Sequence, residues 1–239
     1  MRKSDRLPII LLAIFAIFWL GIAVNPYDRW VWLAENTLTV LLIAFLALTY
    51  KKFRFSNSSY VLLFFYLVFH TVGSYYTYTN MPLFNWLRDI FDLSRNHYDR
   101  LVHFFFGLAF YFPVYEFATQ KLKLRGWASY LLPFLVIISF KAIYEIMEYL
   151  AVIVTRSSVL GTSFLGMQGD QWDAQKDIMF GITGAAISMV VCRLRKWRID
   201  FRRGASWKQE TTCFQNRNVI VFTFLVHEVN ASLDNVRLV

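Results

Sequence analysis

Asp99 and His103 stand four residues apart, a spacing that puts a carboxylate and an imidazole on one face of a helix. Lys141, Glu145 and Glu148 follow at spacings of 4 and 3, and Asp170, Asp173 and Asp177 at 3 and 4. A carboxylate beside a histidine raises its proton affinity, so Asp99 and His103 form a candidate catalytic pair in which His103 moves a proton or ligates. Glu145, Glu148, Asp173 and Asp177 are candidate metal ligands. With one imidazole they make a hard, oxygen-rich set suited to Mg, Mn, Ca or Zn, able to activate water or hold a phosphate. Two other chemistries fit the same residues. Coupled carboxylates can carry protons or cations through a membrane. Ion pairs, Lys141 with Glu145 and Arg100 or Lys176 with Asp173, can simply lock helices together. Six carboxylates and His103 face only Arg100, Lys141 and Lys176, so the acids outnumber the nearby bases.

These groups lie in unusually apolar surroundings. Hydrophobic residues make up 57% of the 239 positions, aromatic ones 19% and charged ones 17%, with a mean hydropathy of +0.41. A single water-soluble domain of this length cannot cover so much apolar surface. Disorder, collagen and a disulfide scaffold are excluded too, the last because the chain has 2 cysteines. The fold class expected is an all-α, polytopic membrane protein.

Six stretches reach the roughly 20 apolar residues that a spanning helix requires: 7–24, 30–50, 60–78, 100–118, 127–154 and 174–194. Alternate connections are basic. Arg2, Lys3 and Arg6 begin the series, Lys51, Lys52 and Arg54 follow, then Lys121, Lys123 and Arg125, and finally seven Lys and Arg between 193 and 208. Such residues accumulate in the cytoplasm, so both ends are expected there. The net charge of +9 then reflects topology rather than nucleic-acid binding. The first stretch reads as an uncleaved anchor, although its charged start and Gly21-Ile22-Ala23 would also suit a signal peptide. Residues 1–203 form the transmembrane domain in this reading, and 204–239 a cytoplasmic tail of unassigned role.

This topology brings the acids to one depth, in the outer half of the fourth, fifth and sixth spans. Between the third and fourth spans, Pro82 opens a short amphipathic helix with apolar Leu83, Trp86 and Ile90, expected to lie in the outer interface as an anchor or lid. His70, level with Tyr66 and Ser74, reads as a helix-contact histidine. Glu116 is expected to reach Lys121 and Lys123. Gly181, Gly184, Ala185 and Ser188 make a small-residue face for close helix packing. The 155–169 loop is long enough to reach over the acids.

The runs Tyr98-Asp99-Arg100-Leu101-Val102-His103-Phe104, Glu145-Ile146-Met147-Glu148 and Gly169-Asp170-Gln171-Trp172-Asp173 closely resemble the YjdF-like bacterial inner-membrane proteins. That resemblance covers residues 1–203 and implies the inner membrane as location, but it carries no established activity. More distantly, Asp99, His103-Phe104, the acidic helix and Asp177 with Gly181 and Gly184 resemble the layout of VanZ-type membrane proteins. Those proteins are linked to glycopeptide-antibiotic tolerance, and the likeness implies a shared site without naming a substrate. The expectation is an outward-facing acidic pocket acting on a lipid-linked or envelope substrate. A small cation- or proton-coupled transporter and a structural membrane protein are the alternatives.

Overall fold

A computed structural model describes residues 6–155 and 168–202, and among these every regular element is helical. In order they are α1 (Arg6–Ile22), α2 (Arg29–Thr49), α3 (Asn57–Tyr75), the short α4 (Pro82–Ile90), α5 (Tyr98–Glu116), α6 (Ala128–Thr155) and α7 (Asp173–Arg202). A π-helical turn, Phe117–Lys121, extends α5. Five helices are long and apolar enough to cross a membrane: α2, α3, α5 with its extension, α6 and α7. At 1.5 Å per residue the 17 residues of α1 span about 25 Å, short of the roughly 30 Å hydrocarbon core. The expected six spans are therefore five plus one shorter apolar helix. The 204–239 tail and most of the 155–169 loop lie outside the described residues.

Local sequence sets the helix starts. Asp28 caps α2, its carboxylate accepting from the amides of Trp30 at 2.8 Å and Val31 at 3.0 Å. Ser56 caps α3, accepting from Ser59 N at 3.2 Å. Pro82 occupies the first turn of α4, where its missing N–H costs nothing.

The exterior is apolar and the interior is mixed. Leu41, Phe45 and Leu48 of α2 and Ile143, Ile146 and Ile153 of α6 are exposed, while Glu35, Asn36, Thr71, Ser74 and Asp177 are buried. That inversion is what a lipid solvent demands, since helices gain nothing there by hiding Leu from a medium equally apolar. Glycines bring α5 and α7 together: a Cβ at Gly107 would overlap the carbonyl oxygen of Gly181, and one at Gly184 that of Phe104. Ser188 then donates to the carbonyl of Leu108 at 2.8 Å. Further along, Tyr111 of α5, Tyr130 and Ile137 of α6, and Ala185 and Cys192 of α7 make an aromatic core.

Two ends of the bundle result. The starts of α2, α5 and α7 and the far parts of α3 and α6 make an acidic end. Lys51, Lys52, Arg54 and Lys121 mark the basic end.

Candidate functional site

The acidic end holds the site. Asp99 and His103, one turn apart on α5, meet through Asp99 Oδ1 and His103 Nε2 at 3.0 Å. The other ring nitrogen, Nδ1, meets Lys141 Nζ of α6 and lies 3.5 Å from Glu145 Oε1. Lys141 also donates to Glu145 Oε1 at 2.8 Å. An ammonium has only donors, so Nδ1 accepts from Lys141 and the proton on Nε2 goes to Asp99. Room for the Lys141 stem comes from Gly181 of α7, where a Cβ would lie 2.9 Å from Lys141 Cγ.

Asp177 approaches from the second turn of α7. It is 2% exposed, and its Oδ1 has no hydrogen-bond partner in the protein. Asp99, His103 and Asp177 each offer one ligating atom, and the three lie within 4.8 Å of one another. Among the described residues this is the set close enough to hold a metal ion.

Asp173 and Asp170 sit apart from it, in a rim of cations. Asp173 pairs with Arg95, and Arg100 lies 3.6 Å from it. Asp170 accepts from Arg100 at 2.5 Å, from Lys176 at 2.6 Å and from Trp172 N at 3.1 Å. The Lys176 ammonium and the Trp172 amide hold the Asp170 carboxyl well below the usual carboxylate range. Partial burial, with the charges of Arg100 and Arg95, pushes His97 below the ordinary imidazole range. Asn96 ties this rim to α4. It exchanges hydrogen bonds with the Gln168 side chain at 2.9 and 3.0 Å, and its Nδ2 donates to Asn85 Oδ1 at 2.8 Å. On α4, Leu83, Trp86 and Ile90 are all more than half exposed.

A second buried network adjoins the first. Glu35 of α2, 3% exposed, accepts from the Tyr144 hydroxyl at 2.9 Å, with the Tyr78 hydroxyl oxygen 3.5 Å away. His70 of α3 uses both nitrogens, Nδ1 with Tyr78 OH at 2.6 Å and Nε2 with the backbone carbonyl of Glu35 at 3.3 Å. Burial and the Glu35 carboxylate push the Tyr78 hydroxyl well up. Tyr78 reaches this position because its ring folds over Gly73, where a side chain would collide with it. Tyr144 joins the networks: its ring centroid lies 4.9 Å from Lys141 Nζ and 6.1 Å from the His103 ring.

Of the residues singled out in the sequence, the fold brings together Asp99, His103, Lys141, Glu145 and Asp177. It puts Asp170 and Asp173 in the rim, and buries Glu148 one turn beyond Glu145. Lys176 holds Asp170 rather than Asp173. Glu116 turns away from Lys121 and Lys123: it accepts from Ser56 N at 2.8 Å, from Ser56 Oγ and from Ser59 Oγ at 3.0 Å. Two participants escaped sequence reasoning. Glu35 is the one acid in the second span, the same signal that marked Glu145, and Arg95 sits in the loop before α5. With them, seven carboxylates (Glu35, Asp99, Glu145, Glu148, Asp170, Asp173, Asp177) share the region with Arg95, Arg100, Lys141 and Lys176.

Residues 7–198 match the family described as "Predicted membrane protein (DUF2238)". The chain belongs to that family. It is also similar to the inner membrane protein YjdF of Escherichia coli strain K12, with 31% identity over 170 residues, covering 70% of this chain and 79% of YjdF. The YjdF-like resemblance of the acidic runs thus extends over most of the chain. With its five long apolar helices, the protein is a multi-pass inner-membrane protein. No solved structure matches it.

Proposed function

We propose that the acidic end is an outward-facing binding or catalytic site in which Asp99, His103 and Asp177 hold a divalent cation, and that it acts on a lipid-linked or envelope substrate. The observation that carries this reading is Asp177. A carboxylate buried with an oxygen unpartnered is costly, more so in a bilayer, and a cation between Asp177, Asp99 and His103 would satisfy it. Acids in excess over bases support the same view. Holding such a cation would take His103 Nε2 from its bond with Asp99, and the cation would then activate water or grip a phosphate. Glu145 and Lys141 would set the charge behind His103, with Glu148 close by on the same helix.

Orientation belongs to the proposal. Placing the basic end in the cytoplasm puts both termini there, makes α1 a sixth span that thins the bilayer or has snorkelling flanks, and lays α4 in the outer interface as an anchor. The VanZ-like residue pattern, Asp99 with His103 and Asp177 with Gly181 and Gly184, fits an envelope role.

Elemental analysis of detergent-purified protein tests the site. Near-stoichiometric Mg, Mn, Ca or Zn is expected in wild type and lost in Asp177→Asn and Asp99→Asn, with Glu116→Gln retaining it. Folded wild type that takes up none of the four metals would overturn the metal reading. Helix locking alone would also predict that Asp177→Asn lowers abundance.

A further inference from the structure

Away from the acidic site, α1, α2 and α3 enclose an apolar groove of about 300 Å³ at the basic end. Its walls come from Pro8 and Leu12 of α1, Leu46 and Ala47 of α2, and Leu63 and Leu67 of α3. Tyr50 also lines it, and its hydroxyl is buried with no hydrogen-bond partner in the protein. Cations adjoin its walls along the chain. Lys51 and Lys52 follow Tyr50 directly and are exposed, Arg54 lies 5.3 Å from the Tyr50 ring, and exposed Arg6 precedes the α1 wall by two residues.

We infer that this groove is a binding site for one anionic phospholipid. An acyl chain fills the apolar walls, and the phosphate lies among Lys51, Lys52 and Arg54 with the Tyr50 hydroxyl as a neutral donor. Charge complementarity selects the ligand. A zwitterionic lipid gains the same apolar contact but little from three cations, each worth about fivefold in affinity beside an anionic headgroup. A water-soluble phosphate lacks the chain that the walls accept. The site is independent of the proposed metal chemistry and stands on different residues.

Native mass spectrometry of the full chain, released from detergent after incubation with phosphatidylglycerol or phosphatidylcholine, tests it. One phosphatidylglycerol should be retained at least about fivefold more than phosphatidylcholine. The Lys51→Gln/Lys52→Gln/Arg54→Gln variant should erase that preference. Ala47→Phe, at an exposed apolar position that folding tolerates, should block the groove and abolish retention with every cation in place. Inorganic phosphate alone should not compete. Equal retention of both lipids, a preference that survives the triple variant, or retention unchanged by Ala47→Phe would each overturn the assignment, as would full competition by free phosphate.

Discussion

Two cores share the helices α5, α6 and α7, and they are built on opposite principles. Towards the basic end, Tyr111, Tyr130, Ile137, Ala185 and Cys192 pack as rings and small side chains, and Tyr111 OH donates to the Tyr130 carbonyl at 3.0 Å. At the acidic end the same helices bury Asp99, His103, Lys141, Glu145 and Asp177. The aromatic core would serve any helix bundle. The charged core is expensive and unsymmetrical, with acids in excess. Small residues already let α5 and α7 touch at Gly107, Gly181 and Gly184. Apolar packing and buried charge are thus allotted to different levels of one bundle.

The largest effect that would sharpen this contrast comes from Lys141. Lys141→Met leaves Glu145, Asp99 and the His103 ring without their shared ammonium, and removing one partner of a buried ion pair costs about 3–5 kcal/mol. Thermal unfolding in detergent should show it, and Lys141→Met/Glu145→Leu should recover most of the loss. A double variant as unstable as the single would mean that the charge serves more than its pair.

Next comes a matched pair of hydroxyl deletions. Tyr144→Phe strips a donor from buried Glu35 and should cost about 1–3 kcal/mol, whereas Tyr111→Phe, losing one neutral bond in the aromatic core, should cost about 0.5–1 kcal/mol. Equal losses in the same unfolding assay would erase the distinction between the two levels.

The smallest effect is pH dependence at the rim. His97 and Asp170 both titrate lower in the folded chain than in an unfolded one, so each contributes stability as pH rises. The His97 contribution is complete above its ordinary value near 6.5 and fades as pH falls through the lowered folded value. That of Asp170 is complete above the usual carboxylate range and fades only well below it. Melting temperature should therefore dip modestly between pH 7 and 5, and His97→Asn should flatten the dip. A dip unchanged in that variant would assign it to the buried groups instead.

Much of this was legible in the letters because membrane helices are ruled by length and by the cost of charge. The second and fifth stretches, expected at 30–50 and 127–154, fold as Arg29–Thr49 and Ala128–Thr155. Pro82 opens α4 as its spacing required. The coincident depth of Asp99, Glu145 and Asp177 followed from counting residues along antiparallel spans. Partners far apart in sequence did not follow. Glu35 meets hydroxyls 43 and 109 residues away, Asp173 an arginine 78 residues back, and Glu116 serines about 60 residues earlier. Neighbour rules on a helix see three or four residues; a bundle chooses partners by topology.

The Glu116 contact also bears on how the chain is assembled. Ser56 and Ser59 begin α3, yet the carboxylate that receives their donors emerges some 57–60 residues later. At synthesis rates of about 5–20 residues per second, the first turn of α3 waits roughly 3–12 s for its acceptor. During that interval its loose hydroxyls and amide rely on interfacial water. The first turn of the third helix thus gains its carboxylate partner only when the end of α5 arrives beside it, with Glu116 as a late clasp.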